Sequence, residues 1–148
     1  MQLHFDGSIV INAPQSKVYA LLTDPSFIAK TLPDAEDVHV LDAQSLEARM
    51  KLKVAVVSSA LKVKMSVSKT APGSKATLVA EGTGSGSAMK ITSVFDLAGG
   101  SSTTMGWSAD AEITGVMAGL GSSLLKGFAT KKVAEIFEGI TKAIEEAA

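Results

Sequence analysis

Apolar and polar residues alternate along several separate stretches of the first 115 residues, and this alternation limits the folds open to the chain. From Leu3 to Ile11 the apolar side chains fall on odd positions, which is the period of a strand with one buried face. The same alternation returns over 38–40, 46–54, 61–67, 89–97 and 105–113, and 75–86 predicts a further strand weakened by its glycines. The sequence therefore predicts about seven strands joined by tight hairpins.

Two short helices and one long helix complete the predicted elements. Apolar residues at helical spacing after Pro14 predict a short helix that ends before Asp24. Asp24 can cap a second short helix over Ser26–Lys30, and Pro33 must end it because the residue before a proline avoids the helical region. Beyond Gly115 the period becomes helical, and the predicted buried face comprises Met117, Leu120, Leu124, Phe128, Val133, Ile136, Ile140 and Ile144.

A sheet of this size must cover its apolar face, and the long terminal helix is the element long enough to do so. We therefore expect an α+β fold in which a seven-stranded antiparallel sheet wraps around the C-terminal helix. No repeat, linker or low-complexity stretch interrupts the pattern, so residues 1–148 are predicted to form a single domain.

Composition and charge exclude several classes of function. The formal net charge of −1 provides no overall positive field for nucleic acid, and the absence of cysteine excludes disulfides and thiolate metal sites. The sequence has neither a stretch apolar enough to span a bilayer nor a secretory signal, so we expect a cytoplasmic protein.

Short motifs near both ends of the chain carry a resemblance to a known family. Near the N-terminus these are Phe5-Asp6-Gly7, Ala13-Pro14, Asp24-Pro25 and Leu32-Pro33. Near the C-terminus they are the segments 110–115 and 118–121, followed by Leu124-Leu125. Together with the order of elements, they resemble the CoxG-like family of carbon monoxide dehydrogenase subunits. This family falls within the START/birch-pollen-allergen (SRPBCC) superfamily, whose fold is the helix grip.

The resemblance implies a non-enzymatic accessory protein that binds an apolar small molecule, a lipid or a quinone-like compound, between sheet and helix. It also implies association with a molybdenum-containing carbon monoxide dehydrogenase or a related hydroxylase, in maturation, membrane recruitment or delivery of a lipid-soluble electron acceptor. A peripheral contact with a membrane is a further expectation, without a transmembrane segment. No bound cofactor is expected.

Methionines and small residues on the predicted inner face point to an adaptable cavity lining, because methionine fits irregular space and small side chains leave room. The residues expected to line the cavity are Met50, Met65, Met89, Met105, Trp107, Leu120, Leu124 and Phe128, with Phe27 and Leu32 at its mouth. The alternative is an ordinary filled core, in which Trp107, Phe95 and Phe128 occupy the space beside small neighbours.

The opposite face of two neighbouring strands is basic. Arg49, Lys51 and Lys53 share the polar parity of one strand, and Lys62 and Lys64 share that of the next. Like charges on paired strands are unfavourable, so this face is a candidate docking surface for an anionic partner. A second interpretation is a solvated face whose charge is offset by Asp37, Glu47 or Glu81. A docking module with a filled core is accordingly one alternative function.

An enzyme related to the polyketide cyclases and aromatases of the superfamily is the other alternative, and it would need polar groups inside the pocket. Ser93 is the clearest inward candidate. His4 and His39 lack the spacing of metal ligands, and Asp110 and Glu112 fall on the solvent parity of the last strand. The glycine-rich segment 82–87 precedes no helix and predicts a hairpin or bulge rather than a phosphate loop. We expect neither catalytic nor metal-binding residues.

Overall fold

The computed structural model describes residues 1–32, 35–54 and 57–147. Within these residues seven strands form one antiparallel sheet. The strands are β1 (Gln2–Ile11), β2 (Ala35–Asp42), β3 (Ser45–Val54), β4 (Val57–Ala71), β5 (Lys75–Gly84), β6 (Ser87–Gly99) and β7 (Thr103–Gly115). The predicted alternation of burial is clearest along β3, β4 and β7, whereas Val40 of β2, expected on the buried face, is 46% exposed.

The helices follow the predicted order. They are α1 (Gln15–Leu22), α2 (Pro25–Thr31), a single 3-10 turn (Met117–Leu120) and α3 (Ser122–Ala147). The carboxylate of Asp24 accepts a hydrogen bond from the backbone N of Ser26 at 3.0 Å, so Asp24 caps α2 as expected. Pro33, the residue predicted to end α2, lies outside the described residues, and the helix ends at Thr31.

Strand order in the sheet is β1-β7-β6-β5-β4-β3-β2. Six strands therefore form a meander, and β1 pairs with β7 across more than 100 residues of chain, with Gln2 opposite Glu112. Ser85 and Gly86 both have positive φ between β5 and β6, as the tightest hairpins require. The segment 82–87 is thus a hairpin, as the sequence predicted.

The inner face of the sheet and the apolar face of α3 enclose two clusters of buried residues. One cluster joins α1, α2 and the C-terminal part of α3, where Ile140 and Ile144 pack against Met105 and Ile11. The other joins the 3-10 turn and the start of α3, where Leu125 packs against strand residues such as Val63 and Ile113. The helix is therefore anchored to the sheet near both of its ends.

One prediction for the buried helix face is wrong. Leu124 is 43% exposed, whereas its neighbour Leu125 is 2% exposed and belongs to the core. The predicted face ran without a break from Met117, but Gly121 with φ +91° separates the 3-10 turn from α3. The helical phase starts again after that residue, and Leu124 then projects about 100° away from Leu125.

The two leucines give a matched test of this packing. We expect Leu125→Ala to lower the free energy of unfolding by about 2–5 kcal/mol, because it leaves a cavity in a closed cluster. Leu124→Ala should change it by no more than about 0.5 kcal/mol, as exposed substitutions do. Denaturant unfolding of both variants measures the difference, and equal effects would contradict the assigned phase of α3.

Candidate ligand cavity

A cavity of about 150 Å³ lies between the inner face of the sheet and the middle of α3. Its walls come from β4 to β7, from α1, α2 and the residue after it, and from α3. The lining residues are Leu22, Ile28, Leu32, Met65, Leu78, Ala80, Ile91, Ser93, Phe95, Trp107, Ala109, Val133, Ile136, Phe137 and Ile140. Apart from the Ser93 hydroxyl and the indole N–H, these side chains carry no hydrogen-bonding group. The cavity therefore offers an apolar surface.

The empty space follows from small side chains placed side by side in the sheet. Ser93 of β6 is opposite Ala109 of β7, and on its other side it is opposite Leu78 of β5. Two small residues in register cannot fill the distance to α3, which the two buried clusters hold in place. The interpretation of Ser93 and Ala109 as space-making residues agrees with the observed position of the cavity.

An aromatic group closes one side of this space. The ring of Phe137 on α3 lies 4.7 Å from that of Trp107, tilted by 37°, and 6.1 Å from that of Phe95, nearly edge-on at 80°. Phe95 and Trp107 are directly opposite each other on β6 and β7. These separations are those at which aromatic pairs attract beyond simple burial.

Three of the ten residues predicted from the sequence line this cavity, namely Leu32, Met65 and Trp107. Met105 is fully buried within the first cluster, and Phe27 packs against that cluster without lining the cavity. Leu124 is exposed. The remaining four pack around the second cluster: Met50, Met89, Leu120 and Phe128. Parity identified the correct face of each strand, but it does not say where along a strand the space is left unfilled.

Most of the α3 wall, above all Phe137, is absent from the residues that the sequence predicted to line the cavity. Its signal was the helical spacing of Val133, Ile136 and Ile140, which already marked that stretch as buried. Phe137 directly follows Ile136, so it lies beside this buried stripe of the helix. An aromatic residue at that place predicts a contact with the centre of the sheet.

The outer face around β3 and β4 carries the predicted basic residues, and all five are exposed. Three of them form ion pairs with carboxylates of this chain: Lys62 with Glu47 at 2.7 Å, Lys51 with Glu36 at 3.6 Å and Arg49 with Asp37 at 4.0 Å. Hydrogen bonding to Lys62 lowers the pKa of Glu47.

The other two basic residues of this face form no ion pair among the described residues. Lys64 is opposite Glu47 and Glu81 in the sheet, and Lys53 lies near the end of β3. Much of this charge is therefore offset locally.

Two aspartates flank His4 on the surface. Its Nδ1 lies 2.7 Å from Oδ1 of Asp110, and its Nε2 lies 3.0 Å from Oδ2 of Asp6. These hydrogen bonds, the one to Asp110 first, raise the pKa of His4 above the ordinary 6.5. Glu112 and Lys90 border the same surface depression. The described residues contain no group of histidines and carboxylates arranged to hold a metal ion.

The raised pKa can be checked by NMR titration. The His4 resonances should titrate above pH 6.5, and Asp110→Asn should move the midpoint down. A group with a raised folded-state pKa stabilises below its unfolded pKa, and this contribution is lost as pH rises through the folded value. The bond between His4 of β1 and Asp110 of β7 should therefore weaken as pH rises through the raised pKa of His4. An unchanged midpoint in Asp110→Asn would contradict this assignment.

A seven-stranded antiparallel sheet closed by a long C-terminal helix, with a cavity between them, defines a helix-grip fold. No helix among the described residues is long and apolar enough to cross a membrane. The sequence model of the CoxG family of carbon monoxide dehydrogenase subunits matches residues 7–145. The chain belongs to the CoxG family.

Solved structures share the fold. A conserved protein from Geobacillus kaustophilus has a TM-score of 0.86 at 23% identity, covering 98% of this chain and 97% of that one. A START superfamily protein from Mycobacterium smegmatis has a TM-score of 0.73 at 12% identity, with coverage of 98% and 99%. The ZhuI aromatase/cyclase from Streptomyces sp. R1128 has a TM-score of 0.68 at 12% identity, with coverage of 98% and 94%. A search of curated proteins gave no significant match.

Proposed function

We propose that this protein binds an apolar small molecule, a lipid or a quinone-like compound, between the sheet and α3 and does not transform it. The observation that carries the proposal is the lining of the cavity, which is apolar apart from one hydroxyl and one indole N–H. Burying apolar ligand surface there is favourable by about 25 cal/mol per Å². Binding sites for small molecules are typically concave and mainly apolar, with few polar groups.

The same lining argues against a catalytic role. General acid or base catalysis needs a titratable group within hydrogen-bond reach of the substrate. None of the described lining residues has a carboxyl, imidazole or amino group, and Ser93 has no base beside it in that lining. A cyclase-like function would have to work with the Ser93 hydroxyl and the Trp107 indole N–H alone. A binding protein is the function that this chemistry supports.

Family membership supports an accessory role beside a carbon monoxide dehydrogenase or a related molybdenum hydroxylase in the cytoplasm. In this proposal the bound molecule is held for that partner, and the enzyme itself supplies the redox chemistry. The basic outer face is the candidate docking surface, with Lys53 and Lys64 as its cations outside the ion pairs of the described residues. Peripheral contact with a membrane belongs to the same proposal.

Ligand binding is tested by filling the cavity at Ala109. Native mass spectrometry and organic extraction of the purified protein should reveal an apolar molecule. Ala109→Leu should then remove at least nine tenths of this binding, because the new side chain occupies the space between Ser93 and α3. Loss of the ligand should be visible as well in the fluorescence of Trp107, the one tryptophan of the chain.

Ala111→Leu is the matched control. Ala111 lies on the same strand and the same face as Ala109, and both are 7% exposed, but Ala111 belongs to the closed second cluster. Overpacking there should cost about 1–3 kcal/mol of stability and leave ligand content unchanged. Equal ligand content in both variants, or a protein that carries and binds no apolar compound, would refute the proposal.

The docking surface is tested by reversing charges. Replacing Lys51, Lys53, Lys62 and Lys64 by glutamate should abolish co-purification of the molybdenum enzyme and leave ligand content as in the unchanged protein. Binding of the partner by the unchanged protein should weaken progressively as salt is added, since exposed charges are screened beyond about 10 Å at 0.1 M. Unchanged co-purification would remove this face from the proposal.

A further inference from the structure

A surface groove of about 550 Å³ runs between β1 and α3, next to the cavity. It is lined by His4, Phe5 and Asp6 on the strand side and by Lys126, Thr130 and Ala134 on the helix side. Trp107, Val133 and Phe137 line both the groove and the cavity. These three side chains therefore form the wall between the interior and the surface at this place.

Trp107 reaches the surface because its neighbour on the edge strand is a glycine. Gly7 is directly opposite Trp107, and a Cβ atom at Gly7 would lie 3.0 Å from Cζ2 and 3.1 Å from Nε1 of the indole. Such contacts are closer than side chains normally allow, so a larger residue would displace the ring. The indole thus rests against bare backbone at the open edge of the sheet.

Few hydrogen bonds join the strand and the helix among the described residues. At the far end of β1, the backbone N of Asn12 donates a hydrogen bond to Oε2 of Glu145 at 2.8 Å. No hydrogen bond among the described residues joins Asp6 or Gly7 to α3. An opening by rotation of Trp107 and Phe137 would break no backbone hydrogen bond between Asp6 or Gly7 and α3 among the described residues.

A lipid or quinone-like ligand would require such an opening. A cavity of 150 Å³ accommodates a molecule such as benzene, whereas sites for larger ligands measure about 300–1,000 Å³. The interior alone therefore holds one ring or a short chain. A longer ligand must continue through the wall, and the groove beyond Trp107 has the space for it.

The groove also differs in chemistry from the cavity. Lys126, Asp6 and the Thr130 hydroxyl border it, and Lys126 has no ion pair among the described residues. A ligand that occupies both spaces would meet an apolar interior and a polar, partly cationic rim. That combination fits an amphiphile.

We propose that the ligand is an amphiphile that enters between β1 and α3 past Trp107, keeps its apolar end in the cavity and leaves its polar head beside Lys126 and Thr130. This inference rests on the proposed binding function. It moves the entrance away from Phe27 and Leu32, where the sequence placed it: Leu32 lines the inner wall, and Phe27 packs against the core.

Two probes and a blocked groove test the entrance. Benzene fits inside the cavity, and decanoate must extend into the groove. Ala134→Phe places a ring in the groove but not in the cavity, since Ala134 lines the groove alone. We expect decanoate to bind at least tenfold more weakly and more slowly to this variant, as followed by stopped-flow Trp107 fluorescence. The equilibrium affinity for benzene, followed by NMR, should stay within twofold.

Controls separate the entrance from general effects. Ala147→Phe adds the same ring at the end of the same helix, far from the groove, and should leave both probes unaffected. Phe27→Ala should leave the decanoate association rate unchanged. Lys126→Gln should weaken decanoate severalfold and leave decanol unchanged, because only decanoate carries a charged head.

The outcomes distinguish the two proposals. Unchanged decanoate binding in Ala134→Phe, or a changed association rate in Phe27→Ala, would overturn the entrance while leaving the cavity function intact. Equal losses of decanoate and decanol in Lys126→Gln would overturn the position of the head group. If the unchanged protein binds neither benzene nor decanoate, the cavity function itself fails, and the entrance fails with it.

Discussion

The rest of the structure depends on the packing of α3 against the inner face of the sheet. Leu125 and Ile144, both almost fully buried, fix the helix near its two ends in separate clusters. Between these anchors the helix cannot move closer to the sheet, even where the strand residues opposite it are small. The cavity exists because Ser93 and Ala109 lie under the middle of a helix that is held at both ends. A shorter helix, or one anchored at one end, could have collapsed onto those residues.

Trp107 connects the interior with the surface. Its ring contributes to the cavity wall, approaches Phe137 of the helix and lies against Gly7 of the edge strand. Trp107 lies next to the sheet edge, where β1 has a neighbouring strand on one side only among the described residues. The same position that completes the cavity can therefore also open it.

Several exposed charged side chains of the protein pair with one another. Arg49, Lys51 and Lys62 of β3 and β4 pair with carboxylates of β2 and β3, and His4 bonds to aspartates of β1 and β7. Exposed ion pairs of this kind contribute little individually, at most about 1 kcal/mol. Lys126 at the groove and Lys53 near the end of β3 take part in no such pair among the described residues.

The sequence by itself determined the elements, their order and the buried face of most strands, because alternation and helical spacing are local properties of the chain. Its motifs also carried the resemblance to the CoxG family that the family match confirmed. Asp24, Ser93 and the 82–87 hairpin were interpreted correctly for the same local reasons. Only the tertiary structure decided that β1 pairs with β7, that Leu124 faces solvent, and which inward residues border empty space. Those outcomes depend on the register between strands that are distant in sequence and on the break in the helix at Gly121. The periodicity of the sequence carries no information about either, because it is a local property.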